Sequence, residues 1–414
     1  MKPERFSAIR HACKMLRRNF RGYGLLSVTI VLSFSILLGY LCFVDAALYN
    51  RYKELFAAPE QVVIAYTYDR EPVKIQAFSH MARYADPKAQ MYYYVETAAP
   101  LTQFGNVTAN LTFLPAGNYP VYQEVFSKDG TWNAAQEIRP ILGRTSFSLK
   151  ENEAIVNESF YAALGGDGTF PMGLTVPFSW ADGTTTVFSL QIVGVCGDEG
   201  LPPDLVKFAP DPSGKMSGVV QIYLAQSMLQ GKSAADMENP KRAAWFCSEN
   251  PQKIADCADQ LQLAVNAVCR TQKSATEQIR VQKATKAAIA AIMLLLLGVN
   301  LYSSFSNALA ERKYEIGIKR AIGASAWAIV RQFFMEGLLV MLANILLSVL
   351  LVADFLCVYK LYRLFAVGEQ WVIAVSPYSA AMFGVCSIAL TLVFCILFAY
   401  RSTQVEVVQY LKAE

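Results

Sequence analysis

Four long apolar runs constrain this chain more than any other feature. The first, Leu25 to Val44, reads LLSVTIVLSFSILLGYLCFV and holds no charge. About twenty such residues, coiled as a helix, cross a hydrocarbon core of about 30 Å. The second run extends from Ala287 to about Ala308, the third from Phe333 to Val358 and the fourth from Ser376 to Tyr400. Composition agrees: of 414 residues, 54% are hydrophobic and 17% charged, whereas a soluble domain carries about 25% charged residues. A basic stretch before an apolar run also suits a signal peptide. Such peptides use only roughly 7–15 apolar residues, so the first run reads as an uncleaved anchor.

Orientation follows from the cations beside the span ends. Lys2, Arg5, Arg10, Lys14, Arg17, Arg18 and Arg21 precede the first span, against one acid, Glu4. Arg312, Lys313, Lys319, Arg320 and Arg331 lie between spans two and three, but only Lys360 and Arg363 between spans three and four. Both ends and the 309–331 loop are therefore expected in the cytoplasm. The expected fold class is an α-helical membrane domain of four transmembrane helices plus an α+β extracytoplasmic domain between spans 1 and 2. Its segments are a cytoplasmic arm at 1–23, spans at 24–48, 286–308, 332–358 and 376–400, an external domain at 49–285, a cytoplasmic loop at 309–331, a short external loop at 359–375 and a cytoplasmic tail at 401–414.

Within the external domain, Gln61 to Tyr68, Ala154 to Asn157, Val187 to Val195 and Val219 to Leu224 read as strands, rich in β-branched and aromatic residues. Asn250-Pro251 opens a helix well, and no Gly or Pro follows until Gly298. Helix is thus predicted to run with few breaks into span two, beside an outward extension of span one at Leu48 to Phe56. The two would form a stalk; the alternative is a solvated linker over Thr271 to Lys286.

The chemistry-bearing residues exclude more than they assign. His11 and His80 are far apart, and no Cys-x-x-Cys occurs, which disfavours a zinc or iron–sulfur site. There is no nucleophile elbow, no triad candidate and no phosphate-binding Gly-Lys-Ser/Thr loop, since Gly214-Lys215 is followed by Met216. No catalytic residue and no metal ligand is assigned. No basic patch with interleaved aromatics points to nucleic acid. Cys42, Cys357, Cys386 and Cys395 fall in spans, while Cys196, Cys247, Cys257 and Cys269 lie outside, where a Cys247–Cys257 bridge or free thiols are both open readings. Inside span three, Glu336 and Asp354 are read as reaching the headgroup zone, with Asn344 bonding across a helix interface. The alternative is an ion path.

The 309–331 loop reads AERKYEIGIKRAIGASAWAIVRQ. It resembles the cytoplasmic signature of the MacB/FtsX-like ABC transporter permease family, with matches at Glu311, Arg312, Glu315, Ile316, Gly317, Ile318, Arg320, Ala321, Ile322, Gly323 and Ala324. The arm, with Ile9, Cys13, Leu16 and Phe20 on one face, resembles that family's amphipathic helix ahead of the first span. Gly143-Arg144, Ala154 to Asn157, Phe188 to Asp198 and Gln221 to Leu224 look like its MacB-type periplasmic core, with an inserted subdomain at about 121–225. Glu336 matches an acid early in the family's third span.

The resemblance implies a permease subunit in the bacterial inner membrane, with both termini cytoplasmic and no ATPase of its own. ATP and Mg would be bound by a separate ABC ATPase dimer. Glu311, Arg312, Glu315, Gly317, Arg320, Ala321, Gly323 and Ala324 would couple to that dimer, Gly323 ending one helix and Ala324 to Val330 forming a short second one. Further implied partners are a second copy or a paralogous permease, a periplasmic adaptor or external enzyme, and membrane lipids, but not nucleic acid. The implied function is ATP-driven movement of the external domain for export or efflux of peptide, lipid-linked or toxic substrates. Mechanical regulation of cell-wall hydrolases and partnership with a histidine kinase stay open.

Overall fold

A computed structural model of the chain describes residues 20–69, 72–127, 130–198, 209–210, 216–368 and 370–402. It resolves into two compact units, Tyr52–Gln278 and the flanking segments Met1–Arg51 with Ile279–Glu414. Most of the 1–23 arm and of the 401–414 tail, including Ile9, Cys13 and Leu16, lies outside the described residues. Helix α1 covers Phe20–Ala57.

In the Tyr52–Gln278 unit, β1 (Val62–Thr67) leads through α2 (Val73–Ala85) into β2 (Gln90–Pro100) and β3 (Asn106–Leu114). A hairpin follows, β4 (Val121–Phe126) and β5 (Asn133–Ile138), and then β6 (Pro140–Gly143), β7 (Glu153–Asn157) and α3 (Glu158–Ala163). The long pair β8 (Met172–Ser179) and β9 (Thr185–Cys196) precedes β10 (Ala209–Pro210) and β11 (Met216–Ala225). The unit closes with β12 (Lys241–Cys247), α4 (Pro251–Gln260) and β13 (Ala264–Ala267). One sheet runs β13-β1-β12-β2-β3-β11-β7-β9-β6, with β10 on β11 and β8 on β9, while β4 and β5 pair only with each other.

Side-chain alternation explains the strands: Leu174, Val176 and Phe178 are buried while Gly173, Thr175 and Ser179 face out. Two apolar cores result. Phe113, Val156, Phe160, Val176, Phe188 and Ile222 fill one; Val63, Phe78, Phe246, Ile254 and Ala258, where α2 and α4 cover the sheet, fill the other.

All four predicted strands are present within a few residues of their expected ends. The helix predicted to run from Pro251 into span two with few breaks is corrected by one strand. It stops at Gln260, Gln262 takes φ 56°, and Ala264–Ala267 pairs antiparallel with β1 before helix resumes. Long-range pairing overrides local helix preference over these four residues. The eight described cysteines, Cys247 and Cys257 among them, are free thiols. Asn157, within a glycosylation-type sequon, is buried, with Nδ2 donating to Asp198 and Oδ1 accepting from the Gln221 N–H.

The helical unit adds α5 (Val268–Glu311), α6 (Lys313–Ala321), α7 (Ala326–Tyr362) and α8 (Pro377–Arg401) to α1. Four of these helices, α1, α5, α7 and α8, are long and apolar enough to cross a membrane. Leu26, Ile30, Phe34, Leu37 and Leu41 recur at helical spacing and are buried, whereas Val28, Leu32 and Ile36 on the other side of α1 are exposed. A helix apolar on all sides belongs in lipid or in a large core. Phe305, Phe394 and Phe398 pack ring against ring, with Phe333 edge-on to Phe398 at 5.5 Å. Gly337 lets α8 come close, because a Cβ there would meet the Cys395 Sγ at 3.3 Å. Small polar groups bond between the helices, as from Asn300 to Ser33 at 2.8 Å and from Asn344 to Ser27 at 3.2 Å.

Candidate coupling loop between the second and third long helices

Residues 312–325 connect α5 to α7, and their sequence dictates the shape. Helix α6 ends in the left-handed turn expected of Gly323, whose φ is 93°. The Gly323 N–H donates to the Arg320 carbonyl and the Ala324 N–H to the Lys319 carbonyl, both at 3.0 Å. This double bond pattern satisfies carbonyls that a helix end would leave bare. Ser325 then starts α7, its Oγ accepting the Ala328 N–H at 3.2 Å. The short helix predicted from Ala324 to Val330 is therefore corrected: from Ala326 onward those residues are the first turns of a helix that continues to Tyr362.

A chain of polar contacts fixes α6 against the start of α7. The Lys319 Nζ donates to Glu315 at 2.8 Å and to Gln332 at 3.1 Å. The Gln332 Nε2 donates to Glu336 at 2.8 Å, and Arg312 closes the chain on the other Glu336 oxygen at 2.5 Å, with its guanidinium over the Phe333 ring. Glu336 is fully buried. An isolated buried carboxylate would cost several kcal/mol, so the partner that neutralises it is Arg312, 24 residues away in sequence. Asp354, by contrast, is exposed on α7, and Asn344 bonds across a helix interface as expected.

The predicted coupling residues therefore separate into two sets. Arg312 and Gly317 are buried and face the bundle, and Glu315 and Arg320 are half-buried. Glu311, Ala321, Gly323 and Ala324 are exposed, and the latter three belong to an unbroken exposed stretch, 321–328. Within and beside it stand apolar side chains: Ile318 and Ile322 belong to the signature noted in the sequence, whereas Tyr314 and Trp327 were not singled out there. Ile322 is 81% and Trp327 73% exposed, and Tyr314 and Ile318 continue the same side of α6. Their spacing of four residues, on the face opposite the buried Ile316, was the available signal.

A second buried ion pair lies at the other end of the bundle. The Lys286 Nζ contacts Asp45 at 2.5 Å and Ser379 at 2.7 Å, and the other Asp45 oxygen accepts the Ser376 N–H at 3.0 Å. It ties α1, α5 and the start of α8. Among the described residues no group of three His, Cys, Asp or Glu is placed to hold a metal ion.

Four helices long and apolar enough to cross a membrane, with a shaped loop between the second and third, give this unit the layout of a membrane protein. Residues 287–407 match the family model for the FtsX-like permease C-terminal domain. That span takes in the apolar part of α5, the coupling loop, α7 and α8, in agreement with the ABC transporter permease resemblance of the loop itself. No curated protein matches the chain.

Proposed function

We propose that this chain is the permease subunit of an ABC transporter whose ATPase is a separate dimeric subunit, and that the 321–328 stretch is where that ATPase docks. The observation carrying this reading is the exposed apolar surface of Ile322 and Trp327 on a loop that polar bonds hold in one shape. A water-exposed isoleucine and tryptophan are costly to hydrate, and a partner groove recovers that energy at about 25 cal/mol per Å² buried. The FtsX-like family typically works with such an ATPase partner, and FtsX-like permeases are generally not catalytic themselves. ATP and Mg belong to the partner in this reading.

The loop and both termini are cytoplasmic, at the inner membrane of a bacterium, and the Tyr52–Gln278 unit is extracytoplasmic. Helix α5, unbroken from Val268 to Glu311, supports mechanical transmission from the loop outward. The product of that movement is export or efflux of peptide, lipid-linked or toxic substrates, with a second permease copy or paralogue completing the transporter. The test is Ile322→Glu with Trp327→Glu, read as stimulation of ATP hydrolysis by a co-expressed ABC ATPase subunit. Loss of stimulation with normal expression is expected. Undiminished stimulation, together with failed membrane insertion on neutralising Lys319 and Arg320, would make the loop a headgroup anchor instead.

A further inference from the structure

Strands β12, β2, β3 and β11 carry polar residues in one transverse row. The register sets Lys241 opposite Glu96, Glu96 opposite Thr112 and Thr112 opposite Tyr223. Cross-strand partners share a face, and the β4–β5 ribbon bonds to this one. Glu124 of the ribbon pairs with Lys241 at 3.2 Å, and Gln123 accepts from the Tyr223 hydroxyl at 2.9 Å. Between ribbon and sheet lies a cavity of about 400 Å³, within the roughly 300–1,000 Å³ of small-molecule sites.

Three features of its lining converge. Among the described residues its charged side chains are two acids, Glu96 and Glu124, and one cation, Lys241, at 3.3 and 3.2 Å. One negative charge is thus in excess. Gln221 is 5% exposed; its Nε2 donates to Thr112 at 2.7 Å, but its Oε1, a strong acceptor, has no partner among the described residues. Such an orphan is unfavourable until a donor reaches it. The walls are aromatic: Tyr68, Tyr94 and Tyr223 line the space, with Phe126 and the Trp245 ring beside them. Ring faces attract cations. Burial would lower the Lys241 pKa, but Glu96, Tyr94 and Glu124 outweigh it and hold the pKa above the usual lysine range, as a site of negative potential should.

We propose that this cavity binds a small amine with an apolar body: its ammonium donates to the Gln221 Oε1 and balances the surplus carboxylate, and its body packs on the aromatic walls. An anion would instead add a third negative charge to the pocket. A neutral isostere would keep the stacking but lose the charge. The inference stands apart from the coupling loop, so either can fail alone.

Calorimetry on the full chain in detergent micelles, with empty micelles subtracted, separates the outcomes. The probes are phenethylamine, 2-phenylethanol and phenylacetate at neutral pH. The amine should bind about tenfold more tightly than the alcohol, a difference of about 1.4 kcal/mol, and the carboxylate should not bind. Glu96→Gln should weaken the amine about tenfold. Tyr68→Ala, at a position 66% exposed and so safe for folding, should weaken it several-fold. No heat from millimolar amine, equal binding of alcohol and amine, or full affinity in Tyr68→Ala would each overturn the assignment.

Discussion

The two units bury charge in opposite places. In the helical unit, the buried ionic groups among the described residues sit at the ends of the apolar stretches: Asp45 with Lys286 at one, Arg312 with Glu336 at the other. Between them the buried polar residues are neutral, such as Asn344, Ser348 and Thr391. In the strand unit a lysine and two glutamates lie well inside, on the face that the β4–β5 ribbon covers. Solvent explains the contrast. Mid-bilayer there is no water to relax around an imperfect pair, so charge is tolerated only near the interfaces. A domain bathed in water can hold a charged pocket half-wet, with Lys241 and Glu96 side chains 18% and 20% exposed.

If that contrast reflects a membrane, labelling should be all-or-none. In a cysteine-free background, Tyr84→Cys, at a site 93% exposed on α2, should react with an impermeant thiol reagent on intact cells, and Ala324→Cys should not. Labelling of Ala324→Cys alone would invert the orientation. Ser127 would be a poor choice, being buried in the β4–β5 turn with its Oγ accepting two backbone N–H groups.

The next largest effect concerns the bundle pairs. Arg312→Ala or Glu336→Ala strands a buried charge and should cost about 3–5 kcal/mol, read as thermal unfolding in micelles. The double change Arg312→Met with Glu336→Leu should recover most of that stability. If the double variant stays as unstable as the singles, packing rather than charge holds this end.

Lys241→Met tests the other side of the comparison and should cost less, about 2–3 kcal/mol, because water reaches the glutamates left behind. The wild-type lysine has a raised folded pKa. Its contribution is complete below the ordinary lysine value of 10.5 and is lost only as pH rises through the folded value. Neutral-range stability should therefore be flat for this group.

Glu153 gives a smaller acid-side effect. Burial alone would raise its pKa, but the Lys150 N–H and the two-pronged Arg144 contact lower it from 4.5. This stabilisation is present above 4.5 and fades as pH falls through the depressed value. Glu153→Gln should lose about 1 kcal/mol at neutral pH and show a shallower acid limb. The least effect belongs to Lys319→Ala, which breaks a half-exposed Glu315 pair and should cost a few tenths of a kcal/mol in helix stability. For any loop substitution, Gly323→Val confounds docking with backbone strain, since its φ of 93° disfavours a side chain. Ala321→Trp, at an exposed helical site, does not.

Legibility followed the range of the forces. The four long helices could be read because length and apolarity decide them without any partner. The Gly323 turn was readable for the same reason, since its bonds close within six residues. Strands β2 to β5 escaped notice: QMYYYVETAAP and NVTANLTFL mix Tyr, Thr, Ala and Asn, and become strands through their neighbours in the sheet. Helix propensity misled at Ala264–Ala267, where β1 supplies the deciding bonds. The expected coupling residues lie within one short stretch of sequence, 311–324. That Arg312 is spent on Glu336, while Ile322 and Trp327 are the groups on offer, depended on a fold-level contact.

The transverse row through Lys241, Glu96, Thr112 and Tyr223 also bears on how the sheet finds its alignment. Apolar alternation alone forbids a slip of one residue, which turns every side chain to the wrong face, but says little against a slip of two. Moving β12 by two along β2 would set Lys241 against Tyr94 or Ala98 and leave Glu96 facing an uncharged neighbour. A misaligned sheet would thus be penalised by an uncompensated ion rather than by misplaced hydrophobes. The Lys241–Glu96 pair that lines the pocket thus acts as the keyed notch that seats β12 in register on β2.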